Sequence, residues 1–197
     1  MKIRPVILCG GAGTRLWPKQ KNHQAKQFID FGGWSLIQKT LERIKKPFFD
    51  YPIISTNLKY LKDVRKSLKK NKVKKYKIVL EPAKKNTAPA ILSSALIKDI
   101  PLKQPLMYFA ADHLIEKSHI LNRAIKKNKT NLDNQNIFIF GIKPTNPSSE
   151  YGYFLTKKIK KNINKVTKFI EKPNLNKAKL VIKNNGYWNS GMFYLRK

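Results

Sequence analysis

A chain of 197 residues with 41% apolar content is long enough to bury one sizeable core and too apolar to be disordered. No apolar run approaches the roughly 18 residues of a membrane-spanning helix, so a transmembrane helix is excluded. The formal charge of +31 comes from 42 Lys+Arg against 11 Asp+Glu, but only six of those bases are arginine; Lys is the poorer residue for bidentate recognition of phosphate and guanine, which argues against nucleic acid as the partner.

The first element is an apolar run, Lys2–Cys9, ended by Gly10-Gly11, which predicts a buried strand. It is too short for a signal peptide. Cys9 is the only cysteine, so no intramolecular disulfide can form, which suits a cytoplasmic protein, and it reads as a small buried apolar residue. Ser35-Leu36-Ile37-Gln38 has the form of a capping box opening a helix with Leu36, Ile37, Thr40, Leu41 and Ile44 inward. Tyr51–Thr56 predicts a strand, and Asn57 a cap for a helix burying Leu61, Val64 and Leu68. Tyr76–Leu80 is a strand, followed by a helix over Thr87–Ile97 with Pro89 in its first turn. Leu106–Ala110 is a strand, and Ser118–Lys127 a helix with Ile120, Leu121, Ala124 and Ile125 inward. Ile137–Gly141 is a further strand. After residue 150 the pattern turns strand-rich, with Tyr151–Lys157, Lys165–Ile170 and Met192–Arg196 around a helix at Leu175–Lys183. The Lys-rich stretches 66–77 and 157–168 read as solvated faces of these elements, and no internal repeat is present. Alternating strands and helices imply an α/β fold with a doubly wound, mostly parallel sheet, whose ligands lie beyond the carboxyl ends of the strands.

The loop Gly10-Gly11-Ala12-Gly13-Thr14-Arg15-Leu16-Trp17-Pro18 follows the first strand. Its glycines let backbone N–H groups approach phosphate oxygens, and Arg15 adds a fork of donors. A P-loop is excluded because no Gly-Lys-Ser/Thr follows, and a dinucleotide fingerprint because Leu16 stands at its third glycine position. Without further islands this loop would read equally well as a tight turn.

The further islands are present. Gly-Gly-x-Gly-Thr-Arg-Leu at a first strand end resembles the signature of sugar-phosphate nucleotidyltransferases. Ala25-Lys26-Gln27-Phe28, Leu80-Glu81-Pro82 with Asn86-Thr87-Ala88-Pro89-Ala90-Ile91, Ala110-Ala111-Asp112-His113, Phe140-Gly141-Ile142-Lys143-Pro144, Tyr151-Gly152-Tyr153, Phe169-Ile170-Glu171-Lys172-Pro173 and Trp188-Asn189-Ser190-Gly191-Met192-Phe193 narrow the resemblance to the mannose-1-phosphate guanylyltransferase branch. Ala25, Lys85 and Ala111 depart from that branch's Pro, Arg and Ser, and Lys19-Gln20-Lys21 from its Leu-Ser-Arg-like segment; Lys in place of Arg weakens phosphate contacts.

The resemblance implies a Rossmann-like nucleotidyltransferase fold with a strand-rich, sugar-binding C-terminal part. It implies transfer of GMP from GTP to mannose 1-phosphate, giving GDP-mannose and pyrophosphate. Arg15, Lys26 and Asp112 are the expected catalytic residues, with Asp112, a hard oxygen ligand, holding Mg2+ between the phosphates. Leu8, Gly10, Gly11, Gly13, Thr14, Arg15, Glu81, Asn86 and Thr87 are expected to bind the nucleotide, Glu81 by accepting from guanine N1–H and its amino group. Asn86 and Thr87 also read as a plain helix N-cap, and the two roles are compatible. Tyr151, Gly152, Glu171, Lys172 and Asn189 are expected to bind the sugar phosphate. His113 reads as a structural neighbour of Asp112.

The whole chain reads as one nucleotidyltransferase domain, with 1–150 the nucleotide-binding half and 151–197 the start of the sugar-phosphate-binding half. The family's second metal-binding aspartate lies further downstream in a Ser-Ile-Asp motif, and no Asp or Glu follows Glu171 here. The domain is therefore expected to be truncated, and these residues alone to bind GTP weakly and turn over slowly or not at all. The expected partners are GTP and mannose 1-phosphate, with neither nucleic acid nor membrane; a homo-oligomer is left open. Two other readings stand beside this one: a nucleotidyltransferase for another hexose 1-phosphate or base, and an inactive nucleotide-binding module. The Glu-Pro…Asn-Thr-Ala-Pro and Trp-Asn-Ser-Gly-Met-Phe segments argue against the first.

Overall fold

The computed structural model describes residues 1–11, 25–83, 86–160 and 163–197. They form two compact units, Met1–Phe138 with Phe193–Lys197, and Ile139–Met192.

In the first unit β1 (Arg4–Leu8), β2 (Ile53–Thr56), β3 (Lys77–Leu80) and β4 (Pro105–Ala110) alternate with α1 (Leu36–Arg43), α2 (Leu61–Lys70) and α3 (Thr87–Ala95), and α4 (Ser118–Lys127) follows. The strands lie in the order β3-β2-β1-β4, all parallel. Neighbouring residues on a strand point to opposite faces, so the complete burial of both Val6 and Ile7, and of both Tyr108 and Phe109, means that both faces are covered. One face packs Val6, Ile53, Leu106 and Tyr108 against Ile91 and Ala95 of α3 and the following Ile97 and Ile100. The end of the chain returns to this unit: Phe193–Arg196 of β8 (Tyr187–Arg196) run antiparallel along β4.

The second unit holds β5 (Phe138–Ile142) from Ile139 onward, β6 (Tyr153–Lys160), β7 (Ile163–Ile170), α5 (Leu175–Lys183) and the start of β8. β6 pairs antiparallel with β7 and with Tyr187 and Trp188 of β8. Tyr153, Ile170, Ala178 and Val181 form its core. The outer lysines of the hairpin, Lys157, Lys158, Lys160, Lys165 and Lys168, are exposed, as their spacing predicts.

Three local expectations are corrected. Asn57 does not cap through its side chain: a 3-10 turn over Leu58–Tyr60 intervenes before α2, and Asn57 Oδ1 is buried without a partner among the described residues. On α4, Ile120 is 53% exposed, and Asn122 is buried instead. Asn122 Nδ2 donates to the Arg43 carbonyl at 3.1 Å, so a polar tie takes a place that periodicity assigned to apolar residues. β8 starts five residues before Met192, at Tyr187. The expected strand leaves out Trp188–Gly191, whose backbone is satisfied in part by side chains: Asn189 Oδ1 accepts from Gly191 N–H (3.1 Å) and Ser190 Oγ from Met192 N–H (3.2 Å). With Gly191 at φ +70, this is a kink within a strand.

Elsewhere the local chemistry works as read. Ser35 N–H donates to Gln38 Oε1 at 2.7 Å at the start of α1. Asn174 caps α5, its Oδ1 accepting from Lys177 N–H at 2.9 Å. Asn174→Ala removes that acceptor, and denaturant melts are expected to show a loss of about 0.5–2 kcal/mol; an unchanged midpoint would mean that the cap carries no stability.

Candidate functional site

The chain steps from β1 to β2 to β3 in one direction and then places β4 on the other side of β1. The carboxyl ends of β1 and β4 therefore flank the point where the strand order reverses, the place where open α/β sheets bind ligands. Gly10-Gly11 leave β1 at this point and Ala111-Asp112 leave β4. Ala111 N–H donates to the Leu8 carbonyl at 3.0 Å, which ties the two exits together. Leu8, Gly11, Gln27, Ala111 and Asp112 line a small depression there. Gly13, Thr14 and Arg15 lie outside the described residues.

The 3-10 turn Lys26–Phe28 closes one side of the depression. Gln27 is 3% exposed; its Nε2 donates to the Gly11 carbonyl at 3.2 Å and to Cys9 Sγ at 3.7 Å. Burial pushes the Cys9 thiol up to about 12, so it stays protonated and serves as packing. Lys26, the neighbour of Gln27, projects to Asp112: Nζ lies 3.1 Å from Oδ2, and both side chains are about one-third exposed (32% and 36%).

Glu81 stands beyond β3. Its N–H donates to the Thr56 carbonyl at 2.7 Å, and its Oε1 accepts from Ser55 Oγ at 2.6 Å. A Cβ on Gly10 would meet Glu81 Oε2 at 3.2 Å, so the bare glycine lets this carboxylate lie against the backbone that leaves β1. Asn86 precedes α3 at φ 62 and ψ −166, a region nearly confined to glycine, and its side chain makes no capping bond. Thr87 is the first residue of α3.

Arg43 lies behind Asp112. It is 5% exposed, and no carboxylate pairs with it among the described residues. Nη2 donates to the His113 carbonyl at 2.9 Å, and burial lowers the guanidinium pKa to about 10. His113 is held below the usual imidazole range, first by burial and then by the Arg43 and Lys26 cations, with Asp112 opposing. It is neutral at pH 7 and lends its carbonyl to the framework.

Among the described residues no three His, Cys, Asp or Glu side chains gather into a metal site. Asp112 by itself still suits Mg2+, which keeps several waters and is commonly bound through one or two carboxylates plus substrate phosphates.

The second unit gathers another set. A Cβ on Gly152 would lie 2.8 Å from Glu171 Oε2 and 3.1 Å from the Phe169 ring. The Gly152 carbonyl accepts from Asn189 N–H at 2.7 Å. The Tyr151 ring lies 5.0 Å from that of Trp188, whose Nε1 is buried without a partner among the described residues. Tyr151, Gly152, Glu171 and Asn189 thus share one patch. Asn189 Oδ1 is engaged by Gly191, so Nδ2 is the end that can donate to a ligand. Lys172 follows Glu171, exposed, at φ 39.

Sequence reasoning passed over Ser55, Gln27, Arg43 and Trp188. Each carried a signal: a serine in the buried run Ile53–Thr56, a glutamine and a tryptophan inside quoted motifs, and a lone arginine on the inward side of α1.

The sequence profile of the Nucleotidyl transferase family matches residues 4–197. The chain is 37% identical over 199 residues to a mannose-1-phosphate guanylyltransferase of Escherichia coli, covering 96% of this chain and 43% of that protein. It is 34% identical over 198 residues to the alginate biosynthesis protein AlgA of Pseudomonas fluorescens, covering 98% and 41%. The chain thus spans about two-fifths of the length of these curated relatives. A crystal structure titled mannose-1-phosphate geranyltransferase, from Thermus thermophilus, superposes with a TM-score of 0.85 at 25% identity, over 100% of this chain and 58% of that one. No helix among the described residues is long and apolar enough to cross a membrane. Gly10-Gly11, a lysine and a carboxylate meet where the strand order reverses, and a family profile runs along nearly the whole chain: it belongs to the Nucleotidyl transferase family.

Proposed function

We propose that this chain supplies the nucleotide-binding portion, and the start of the sugar-phosphate-binding portion, of a cytoplasmic mannose-1-phosphate guanylyltransferase. A phosphate oxygen of mannose 1-phosphate attacks the α-phosphorus of GTP in line. The bond from the α-phosphorus to the bridging oxygen breaks, pyrophosphate leaves, and GDP-mannose forms. Such a transfer asks for positioning and for neutralisation of charge on the phosphoryl oxygens, and little covalent help.

The observation that carries this reading is the grouping of Gly10-Gly11, Lys26, Glu81 and Asp112 around the carboxyl ends of β1, β3 and β4. The glycine loop, Arg15 and Lys26 hold the phosphates. Glu81, braced by Ser55, accepts from guanine N1–H and its amino group, a donor pair that adenine lacks. Asn86 and Thr87 present the start of α3 to the nucleotide. Asp112 holds Mg2+, which when bound neutralises phosphoryl charge. In the second unit Glu171 and Asn189 take sugar hydroxyls, Tyr151 and Gly152 form the surface beneath the ring, and Lys172 meets the sugar's phosphate.

The test is thermal stabilisation of the protein by GTP, ATP, UTP and dTTP in the presence of Mg2+, followed by pyrophosphate release with mannose 1-phosphate or glucose 1-phosphate. The expected result is preference for GTP and for mannose 1-phosphate. Equal stabilisation by all four nucleotides would remove the role of Glu81, and a preference for glucose 1-phosphate would move the substrate to another hexose.

A further inference from the structure

The Lys26–Asp112 ion pair joins the two groups that the proposed function, on which this inference rests, assigns to different charges: the ammonium to a phosphate and the carboxylate to a divalent cation. We infer that Lys26 occupies the metal's place on Asp112 until the nucleotide arrives, so that metal and nucleotide bind cooperatively through the transfer of one lysine.

Lys26 Nζ sits 3.1 Å from Asp112 Oδ2. A divalent cation on the same carboxylate would come within a few ångströms of the ammonium, at a separation where repulsion is substantial even in water. The two cations therefore exclude one another while no anion stands between them. The surroundings add to the exclusion, because the buried guanidinium of Arg43 bonds to the carbonyl of the very next residue, His113. A triphosphate changes the balance: it offers Lys26 several oxygens in exchange for one carboxylate and gives the metal further ligands.

The ion pair is well suited to exchange. Both side chains are about one-third exposed, and pairs of that kind are weak, so Lys26 leaves at little cost. The backbone beneath it stays in place, because Gln27 is buried and anchored to the Gly11 carbonyl. The lysine can swing while its own turn and Gly11 stay tied together. By linkage, if nucleotide tightens metal binding by some factor, metal tightens nucleotide binding by the same factor. A protein built this way leaves its metal site closed to free cations and opens it when a triphosphate is present.

The experiment is a titration of the nucleotide-free protein with Mn2+, followed by water-proton relaxation, for the parent, Lys26→Met and Asp112→Asn, repeated with saturating GTP; melting temperatures confirm folding. Lys26→Met should tighten Mn2+ binding about fivefold without nucleotide. The same substitution should weaken GTP binding and shrink the factor by which GTP tightens Mn2+. One substitution thus moves two ligands in opposite directions, which a folding defect does not do. If Asp112→Asn loses Mn2+ binding while Lys26→Met leaves it unchanged or weakens it, the exchange is wrong and the assignment of Asp112 survives. If Asp112→Asn binds Mn2+ as the parent does, Asp112 is not the ligand, and the proposed reading of the site falls together with this inference.

Discussion

In the full-length protein, replacing Asp112 by Asn is expected to lower pyrophosphate release by roughly 10²–10³-fold, the size typical of removing one preorganised charge-stabilising group from a transition state. The substitution is nearly isosteric, and the backbone of the turn is held independently of the carboxylate: Ala111 N–H bonds to the Leu8 carbonyl before it, and the His113 carbonyl accepts from Arg43 after it. What is lost is a negative charge. Without it the proposed divalent-cation site loses its one assigned carboxylate, since Glu81 is given to the base, and the charge developing on the phosphoryl oxygens is poorly neutralised. GTP stabilisation, for which the glycine loop and Glu81 are the proposed contacts, should fall by much less. The measurements are pyrophosphate release and thermal shift on the same preparation. Turnover within about threefold of the parent, far short of the expected loss, would show that Asp112 plays no part in the chemistry.

The second large effect concerns the sugar phosphate. Glu171→Ala is expected to raise the KM for mannose 1-phosphate by roughly 10–100-fold and to leave GTP binding alone, because hydrogen bonds to a charged group contribute about 1.5–3 kcal/mol. Gly152→Ala should act in the same direction through the same carboxylate. Its methyl group would lie 2.8 Å from Glu171 Oε2, so the side chain must leave its place beside the Gly152 backbone. The two substitutions touch one group, so the double variant should be little worse than Glu171→Ala. Steady-state kinetics of the full-length protein, with each substrate varied in turn, decides the matter. Equal losses for GTP and mannose 1-phosphate would point to damage in the second unit's fold, and additive losses would separate Gly152 from Glu171.

Much of the framework was legible because it rests on local physics. Apolar runs closed by glycines mark β1, and α5 runs over Leu175–Lys183 as its periodicity predicts. Ser35 and Gln38 announce the start of α1. Errors fell where polar side chains took over local roles. Asn122 faces inward to hold Arg43, and Asn189 and Ser190 bond the backbone of a segment left outside the expected strand. Periodicity counts apolar residues, so it is blind to a buried amide that is satisfied by a distant carbonyl.

The sequence by itself determined the alternation of strands and helices, hence a mostly parallel α/β sheet, and placed the motifs at Gly10-Gly11, Glu81 and Asp112 just beyond strand ends. Both follow from interactions between residues a few positions apart. Only the tertiary structure decided which of those ends meet. The order β3-β2-β1-β4 places the exits of β1 and β4 side by side, although β1 ends at Leu8 and β4 begins only at Pro105. Ser55 braces Glu81 from 26 residues away, and Arg43 holds the Asp112 turn through a carbonyl 70 residues on. Lys26 faces Asp112 for the same reason. No local pattern encodes such pairs, because they depend on how the strands stack into a sheet, and stacking is set by burial of both faces rather than by any one motif.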